Sequence, residues 1–253
     1  MDRQDIAIMY SGGRDSLALY ALTMTGRHPE IQKARTIHML HMLNGMGRFH
    51  DFPRKRLKVA QNILKNQVPF NEECPNTTYI ELDTGRLFQG LWLDIYEELM
   101  PKFGGKNLVC VACKLAMHTK AIIYCITNYV PLLLVGYAKR QDFYPEQTPV
   151  FMEKMKSFSE KLGVTTKFPL YEEFDEEDIA RHFLEEFGLP STGGGERKCL
   201  FCQTLTTATQ KEIGAYLDEM IPKVLEYVDY ILAGKIKKAA LCFPPGNKCI
   251  VKK

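Results

Sequence analysis

The feature that most restricts what this chain can fold into is an alternation. Short runs rich in β-branched and apolar residues are each followed by a longer segment whose apolar residues recur at helical spacing. Runs at 6–10, 36–43, 77–82 and 132–136, with a weaker one at 167–170, read as strands. Segments 16–25, 54–66, 91–100, 115–128 and 148–162 read as helices, and Gly26 stands where the first helix needs a C-terminal cap. Strands that alternate with helices predict a parallel sheet covered on both faces by crossover helices. The expected fold class is therefore α/β, a doubly wound five-stranded parallel sheet. After residue 170 the pattern changes: 175–187 reads as an acidic amphipathic helix, Gly193-Gly194-Gly195 as a loop, and the tail from 235 onward holds six lysines and Pro244-Pro245-Gly246. The expected division is an α/β domain over 1–170 and a small helical region over 171–253.

Composition removes some function classes without choosing among the rest. The start, Met-Asp-Arg-Gln-Asp, lacks a signal-peptide pattern, and no window reads as a membrane span, so a cytoplasmic location with no membrane partner is expected. Eight cysteines in 253 residues are too sparse for a disulfide scaffold, but four fall into two CxxC pairs, Cys110/Cys113 and Cys199/Cys202, which points to metal. A net charge of +3 neither requires nor excludes nucleic acid.

The sharpest motif is Ser11-Gly12-Gly13-Arg14-Asp15-Ser16, directly after the first strand and before the first helix. Two glycines let the backbone turn tightly with its N–H groups close to an anion, and the helix N-terminus adds the positive end of its dipole. The Ser11 and Ser16 hydroxyls suit phosphate oxygens, and Asp15 suits Mg²⁺ or a bridging water. The motif is neither a Walker loop nor a dinucleotide fingerprint. The plainer alternative is a glycine-rich turn in which Asp15 and Ser16 only cap the helix.

SGGRDS in this context resembles the PP-loop of ATP pyrophosphatases, a superfamily with a HUP/Rossmann-like adenine nucleotide alpha hydrolase fold. The resemblance implies that ATP is split between its α and β phosphates. ATP is then expected across the carboxyl ends of the strands, its phosphates on Ser11, Gly12, Gly13, Arg14, Asp15 and Ser16 and its adenine near Met39 to Asn44.

Further landmarks follow in order: Cys110-Val111-Ala112-Cys113-Lys114, a helix, Pro131 to Val135, the loop Gly136-Tyr137-Ala138-Lys139-Arg140-Gln141-Asp142, Pro169-Leu170, Glu176-Glu177-Asp178-Ile179, Pro190, and Cys199-Leu200-Phe201-Cys202. Over about 200 residues this order is similar to the tRNA 2-thiocytidine and 2-thiouridine synthases. That resemblance implies a tRNA substrate, a sulfur donor, and a 4Fe-4S cluster on Cys110, Cys113 and one of Cys199 and Cys202. Asp15, Ser16, Cys110 and Cys113 would form the catalytic set.

On the residues alone the ion stays open, because two CxxC pairs equally suit a closed Zn²⁺ site with four thiolates, and buried or redox-active thiols are the bland alternative. The chain departs from the pattern at Tyr137, where a histidine is usual, and keeps only Asp142 of a usual acidic pair. Gly136 and Asp142 remain expected at the ATP site, Asp142 as a Mg²⁺ ligand or as a solvated loop acid. Cys125, on an apolar helix face, is expected in the core. His38 and His41 fall on opposite strand faces and make a poor shared metal site. Arg54-Lys55-Arg56 with Lys58, Lys114 and Lys120 suit phosphate contact but also suit solvent. Two rivals stand beside thiolation: a PP-loop amidating enzyme acting on a deazapurine-like small molecule with structural zinc, and a nucleotide-binding accessory protein. A homodimer is left open.

Overall fold

The structure is a computed structural model and describes residues 3–27, 34–45, 51–68, 73–103, 108–174, 178–191 and 208–243. Five strands, β1 (Gln4–Met9), β2 (Ala34–Leu43), β3 (Asn76–Asp83), β4 (Leu132–Val135) and β5 (Thr165–Lys167), form one sheet in the order β3-β2-β1-β4-β5. Every neighbouring pair is parallel. The helices are α1 (Arg14–Thr25), α2 (Asp51–Leu64), α3 (Gly85–Leu91), α4 (Tyr96–Phe103), α5 (Val109–Thr127), α6 (Pro149–Lys161), α7 (Pro169–Glu172), α8 (Ile179–Glu186), α9 (Gln210–Leu232) and α10 (Ile236–Cys242). The fold is the doubly wound α/β sheet that the alternation predicts.

The two-residue period of the strands divides the interior into two cores. Ala7 and Met9 of β1, with Leu133 and Val135 of β4, face one core that also holds α5, α6 and α9. Ile6, Ile8, Leu132 and Leu134 face the other, shared with α1, α2 and α8. Central strands buried on both faces read as continuous apolar runs, which is why they were legible. Helix α1 is buried from Ser16 to Thr25, and Gly26 closes it at φ 66°, donating its N–H to Leu22 O.

Several expected boundaries move. Strand β5 ends at Lys167 and residues 169–172 turn into α7, because Pro169 has no N–H for a sheet ladder but suits the first position of a helix. The helix expected at 91–100 is α3 and α4, separated at Trp92 (φ −138°, ψ −61°) and a 3₁₀ turn over Leu93–Ile95. Helix α5 begins at Val109, six residues before the expected 115, so both cysteines of the first CxxC lie on it. Of the expected 175–187 helix the structure describes Ile179–Glu186, and 175–177 lie outside the described residues.

Helix α5 shows how a core helix can look in hydropathy. It is long and apolar enough to span a bilayer, yet half of that window is buried inside the fold. A core helix packed against a sheet is apolar around most of its circumference and imitates a span. The 23-residue α9 starts at a capping box, Thr209 with Glu212, and sinks Ile213, Leu217, Met220 and Val224 into the core of α5 and α6. Residues after 170 thus supply both cores, α8 on one face of the sheet and α9 on the other.

Candidate nucleotide site and its cysteine flank

The strand order places the topological switch point between β1 and β4, the position at which open α/β sheets bind ligands at the carboxyl ends of their strands. The loop after β1 is Ser11 to Ser16. Gly12 sits at φ +81°, and a Cβ there would meet Pro53 Cα at 2.9 Å, so the first turn of α2 closes over the loop. Ser11 Oγ accepts from Gly13 N at 3.1 Å and lies 3.2 Å from Ser16 Oγ, which is 3.3 Å from Gly13 O. The two hydroxyls hold the turn at the N-terminus of α1. From the other side, a Cβ on Gly136 would come within 2.8 Å of Asp15 C and Ser16 N. The loop after β4 therefore rests directly on the backbone of the first.

Charged side chains bind these loops to each other. Arg140 Nη2 donates to both oxygens of Asp15, at 2.7 and 2.9 Å, and Arg140 Nη1 lies 3.4 Å from Asp178 Oδ1. Arg14 Nη1 donates to Asp178 Oδ2 at 3.2 Å. Arg56 is buried on α2 and donates to Gly12 O at 2.8 Å and to Pro190 O at 2.6 Å. Sequence reasoning treated Arg56 as part of a basic helix face and gave Arg140 and Asp178 no role. No local pattern marks such residues, since their partners lie 38 to 164 positions away. Asp142 is exposed, and its charge is felt at Tyr171, whose phenol pKa is raised first by burial and then by Asp142. The loop's contact to Asp15 is made by Arg140. Met39 is fully buried towards α1 and α2 and offers no side-chain surface, while Asn44 at the end of β2 donates Nδ2–H to Cys113 Sγ at 3.3 Å.

The second flank belongs to α5. Cys110 and Cys113 lie in its opening turns, three residues apart and both half-buried. Behind them Tyr137 is buried, stacked on Phe168 with centroids 5.2 Å apart, and its hydroxyl is 3.0 Å from His118 Nε2. The position where the resemblance expects histidine thus holds a tyrosine that faces inward, and an imidazole reaches it from α5. Burial, and secondarily the charge of Lys114, pulls the His118 pKa down to about 3, so the ring is neutral near pH 7. Burial raises the carboxyl pKa of Glu146 while Lys114 opposes it. Lys114 Nζ lies 5.6 Å from the Tyr137 ring centroid.

Of the four cysteines expected at a metal, the described residues include Cys110 and Cys113. Two thiols on successive turns are soft ligands suited to zinc or to an iron–sulfur cluster, and the Asn44 N–H supplies the hydrogen bond that a ligating sulfur commonly accepts. Cys199 and Cys202 lie outside the described residues. Among the described residues no group of three or more His, Cys, Asp or Glu gathers to hold a metal ion. Cys125 is a core thiol, pushed up to about 12 by burial. His38 and His41 turn to opposite faces, towards Tyr124 Oη and Tyr10 O, each at 2.9 Å.

No family model matches the sequence. No curated protein matches it either. Among solved structures the chain is similar to the U34-tRNA thiolase NcsA from Methanococcus maripaludis with its 4Fe-4S cluster, with a TM-score of 0.48 and 15% identity, over 100% of this chain and 77% of that one.

Proposed function

We propose that this chain is a PP-loop ATP pyrophosphatase that adenylates a carbonyl oxygen and then exchanges that oxygen for sulfur, with a tRNA nucleobase as its substrate. The observation that carries the reading is the position of Ser11 to Ser16. The loop lies at the β1/β4 switch point, opens α1, and is pressed by Gly136 on one side and Pro53 on the other. A cradle so placed suits the phosphates of a nucleotide whose base lies along the ends of the strands.

On this reading the first-turn amides of α1 and the hydroxyls of Ser11 and Ser16 take the phosphate oxygens, and Asp15 is the acid that would hold Mg²⁺. The substrate carbonyl oxygen attacks the α-phosphorus, the bond to the β-phosphate oxygen breaks, and pyrophosphate departs with the electron pair. Fixed dipoles at the helix N-terminus stabilise the charge that develops there. A sulfur nucleophile then adds to the activated carbon, and AMP leaves with the carbon–oxygen electron pair to give the thiocarbonyl. Cys110 and Cys113, with one of Cys199 and Cys202, would hold a 4Fe-4S cluster, which when bound offers an open iron to sulfide. Lys55 and Lys58 are exposed on α2, whose first turn packs on the loop, and they suit an RNA backbone near the phosphate site.

The test is an assay of anaerobically purified full-length protein with ATP and unmodified tRNA, following nucleotide products and thionucleosides together. AMP and pyrophosphate in equal amounts, with sulfur in the RNA, are expected. ADP and phosphate as products would remove the adenylation chemistry, and AMP formation by a zinc-only protein without thionucleoside would replace thiolation with the amidating chemistry.

A further inference from the structure

Asp15 has two claims on it. Its carboxylate gives both oxygens to Arg140 at 2.7 and 2.9 Å, and under the reading above it is also the acid that meets Mg²⁺. A guanidinium and a divalent cation on one carboxylate repel each other strongly at contact distance, and more so in a partly dry site. Asp15 and Arg140 are 13% and 16% exposed, so water screens them little.

Arg140 is the partner able to yield. It sits on a short 3₁₀ turn, Lys139–Gln141, in the loop after β4, and has a second anchor already in place. Its Nη1 is buried without a hydrogen bond and stands 3.4 Å from Asp178 Oδ1, which is likewise buried without one. That contact is an ion pair at loose distance and leaves donor capacity unspent. Arg14 secures the other oxygen of Asp178 at 3.2 Å, so the carboxylate stays beside the loop whichever way Arg140 turns. A planar fork of N–H donors matches phosphate oxygens as well as carboxylate oxygens.

We propose that Arg140 is a movable phosphate ligand: when the Mg²⁺ complex of a nucleotide settles on residues 11–16, the guanidinium leaves Asp15, pivots beside Asp178, and takes the pyrophosphate end. The inference rests on the PP-loop reading and adds the residue that distinguishes a polyphosphate from AMP. Asp178, the residue before α8, is then a positioning residue that links the chain beyond 170 to the nucleotide loop.

Calorimetric titration of the full-length protein with magnesium pyrophosphate, magnesium ATP and AMP tests it. Arg140→Ala should weaken pyrophosphate and ATP by at least about tenfold, the scale of one lost charge-assisted contact. AMP affinity should stay within about twofold, because that ligand lacks the groups Arg140 would meet. Arg140→Lys should recover part of the loss, since it keeps the charge but not the fork. Arg140→Gln retains an N–H for Asp15 and should lose pyrophosphate affinity as Arg140→Ala does, with the wild-type melting temperature. Unchanged pyrophosphate affinity in Arg140→Gln, or equal loss for all three ligands, makes Arg140 a structural ion pair and overturns the inference. If the unaltered protein binds neither ATP nor pyrophosphate, the PP-loop reading itself falls, and that result appears before any substitution is made.

Discussion

The two flanks of the candidate site solve different electrostatic problems. On the α1 side, Arg14, Asp15, Arg140 and Asp178 compensate one another at partly exposed positions, so charge is present and can be redistributed. On the α5 side, His118 is held neutral by burial, Tyr137 is sunk among aromatic rings, and Glu146 is buried with a raised pKa. A charged, rearrangeable flank suits a polyanion that arrives with its own cation. A drier flank, where the charge of Lys114 is felt at His118 and Glu146, suits soft sulfur ligands and reactive intermediates that water would consume. Under the proposed function, the difference would set a phosphate end apart from a sulfur end by the polarity of their surroundings, and each flank should fail in its own way when altered.

The largest effect is expected at Asp15. Asp15→Ala should reduce AMP formation by about a hundredfold or more, as for loss of one preorganised electrostatic contact to a transferring group. The melting temperature should fall as well, because the nearly buried Arg140 loses its close carboxylate partner and keeps only the looser contact to Asp178, so turnover is compared at a temperature where both proteins are folded. Product analysis beside thermal unfolding checks this, and near-normal AMP formation would take the phosphate role from the α1 flank.

Next come the cysteines. Cys110→Ser and Cys113→Ser should each strip most of the bound metal while Mg-ATP affinity remains at the wild-type level, read by metal analysis and calorimetry. If nucleotide affinity falls with the metal, the flanks are not separable. The Asn44 to Cys113 hydrogen bond is where such coupling would pass.

What was legible in the sequence follows the same physics. The strand period, the SGGRDS turn and the Gly26 cap are local, since each depends on residues a few positions apart, and each appears where the pattern puts it. The Asp15–Arg140 pair spans 125 positions and the Arg14–Asp178 pair 164, so nothing in either neighbourhood announces them. Strand β5 was misplaced because three residues, Thr165 to Lys167, carry almost no period, and the apolar Phe168 and Leu170 beyond them extended it in error. Helix α5 passes a bilayer test of length and composition because apolar core helices and bilayer spans share a composition, while half of that window is buried in the fold.

Two glycines sharpen the comparison at intermediate size. Gly136→Ala would place a methyl 2.8 Å from backbone atoms of Asp15 and Ser16, which have no rotamer with which to yield. Overpacking of that kind costs about 1–3 kcal/mol and should push the loop off its nucleotide geometry, so both stability and ATP affinity fall. Gly26→Ala meets no atom within 4 Å and carries only the penalty of φ +66°, roughly 1–2 kcal/mol. It should cost stability and leave ATP affinity alone. Urea unfolding with parallel nucleotide titration tells the two patterns apart, and a Gly136→Ala protein with normal ATP affinity would mean that contact between the loops does not shape the site.

The smallest effect concerns protons on the α5 flank. His118 is faced by the Tyr137 hydroxyl, the rings of Phe151 and Phe168, and the charge of Lys114 on its own helix, and its folded pKa of about 3 lies below the ordinary 6.5. Well above pH 6.5 the ring is neutral in both states and contributes no pH dependence. As the pH falls from 6.5 towards 3, the unfolded chain binds a proton that the folded chain excludes, so stability decreases. The slope for one such proton is about 1.4 kcal/mol per pH unit. Replacing the ring by an apolar one, His118→Phe, should remove that slope while the carboxylates, common to both proteins, contribute equally. Urea unfolding of the two proteins at several pH values between 7 and 5 gives the difference directly. Parallel stability curves over that range would mean that the ring takes up its proton within the fold, and the contrast between a charged flank and a dry one would then fail at the residue on which it most depends.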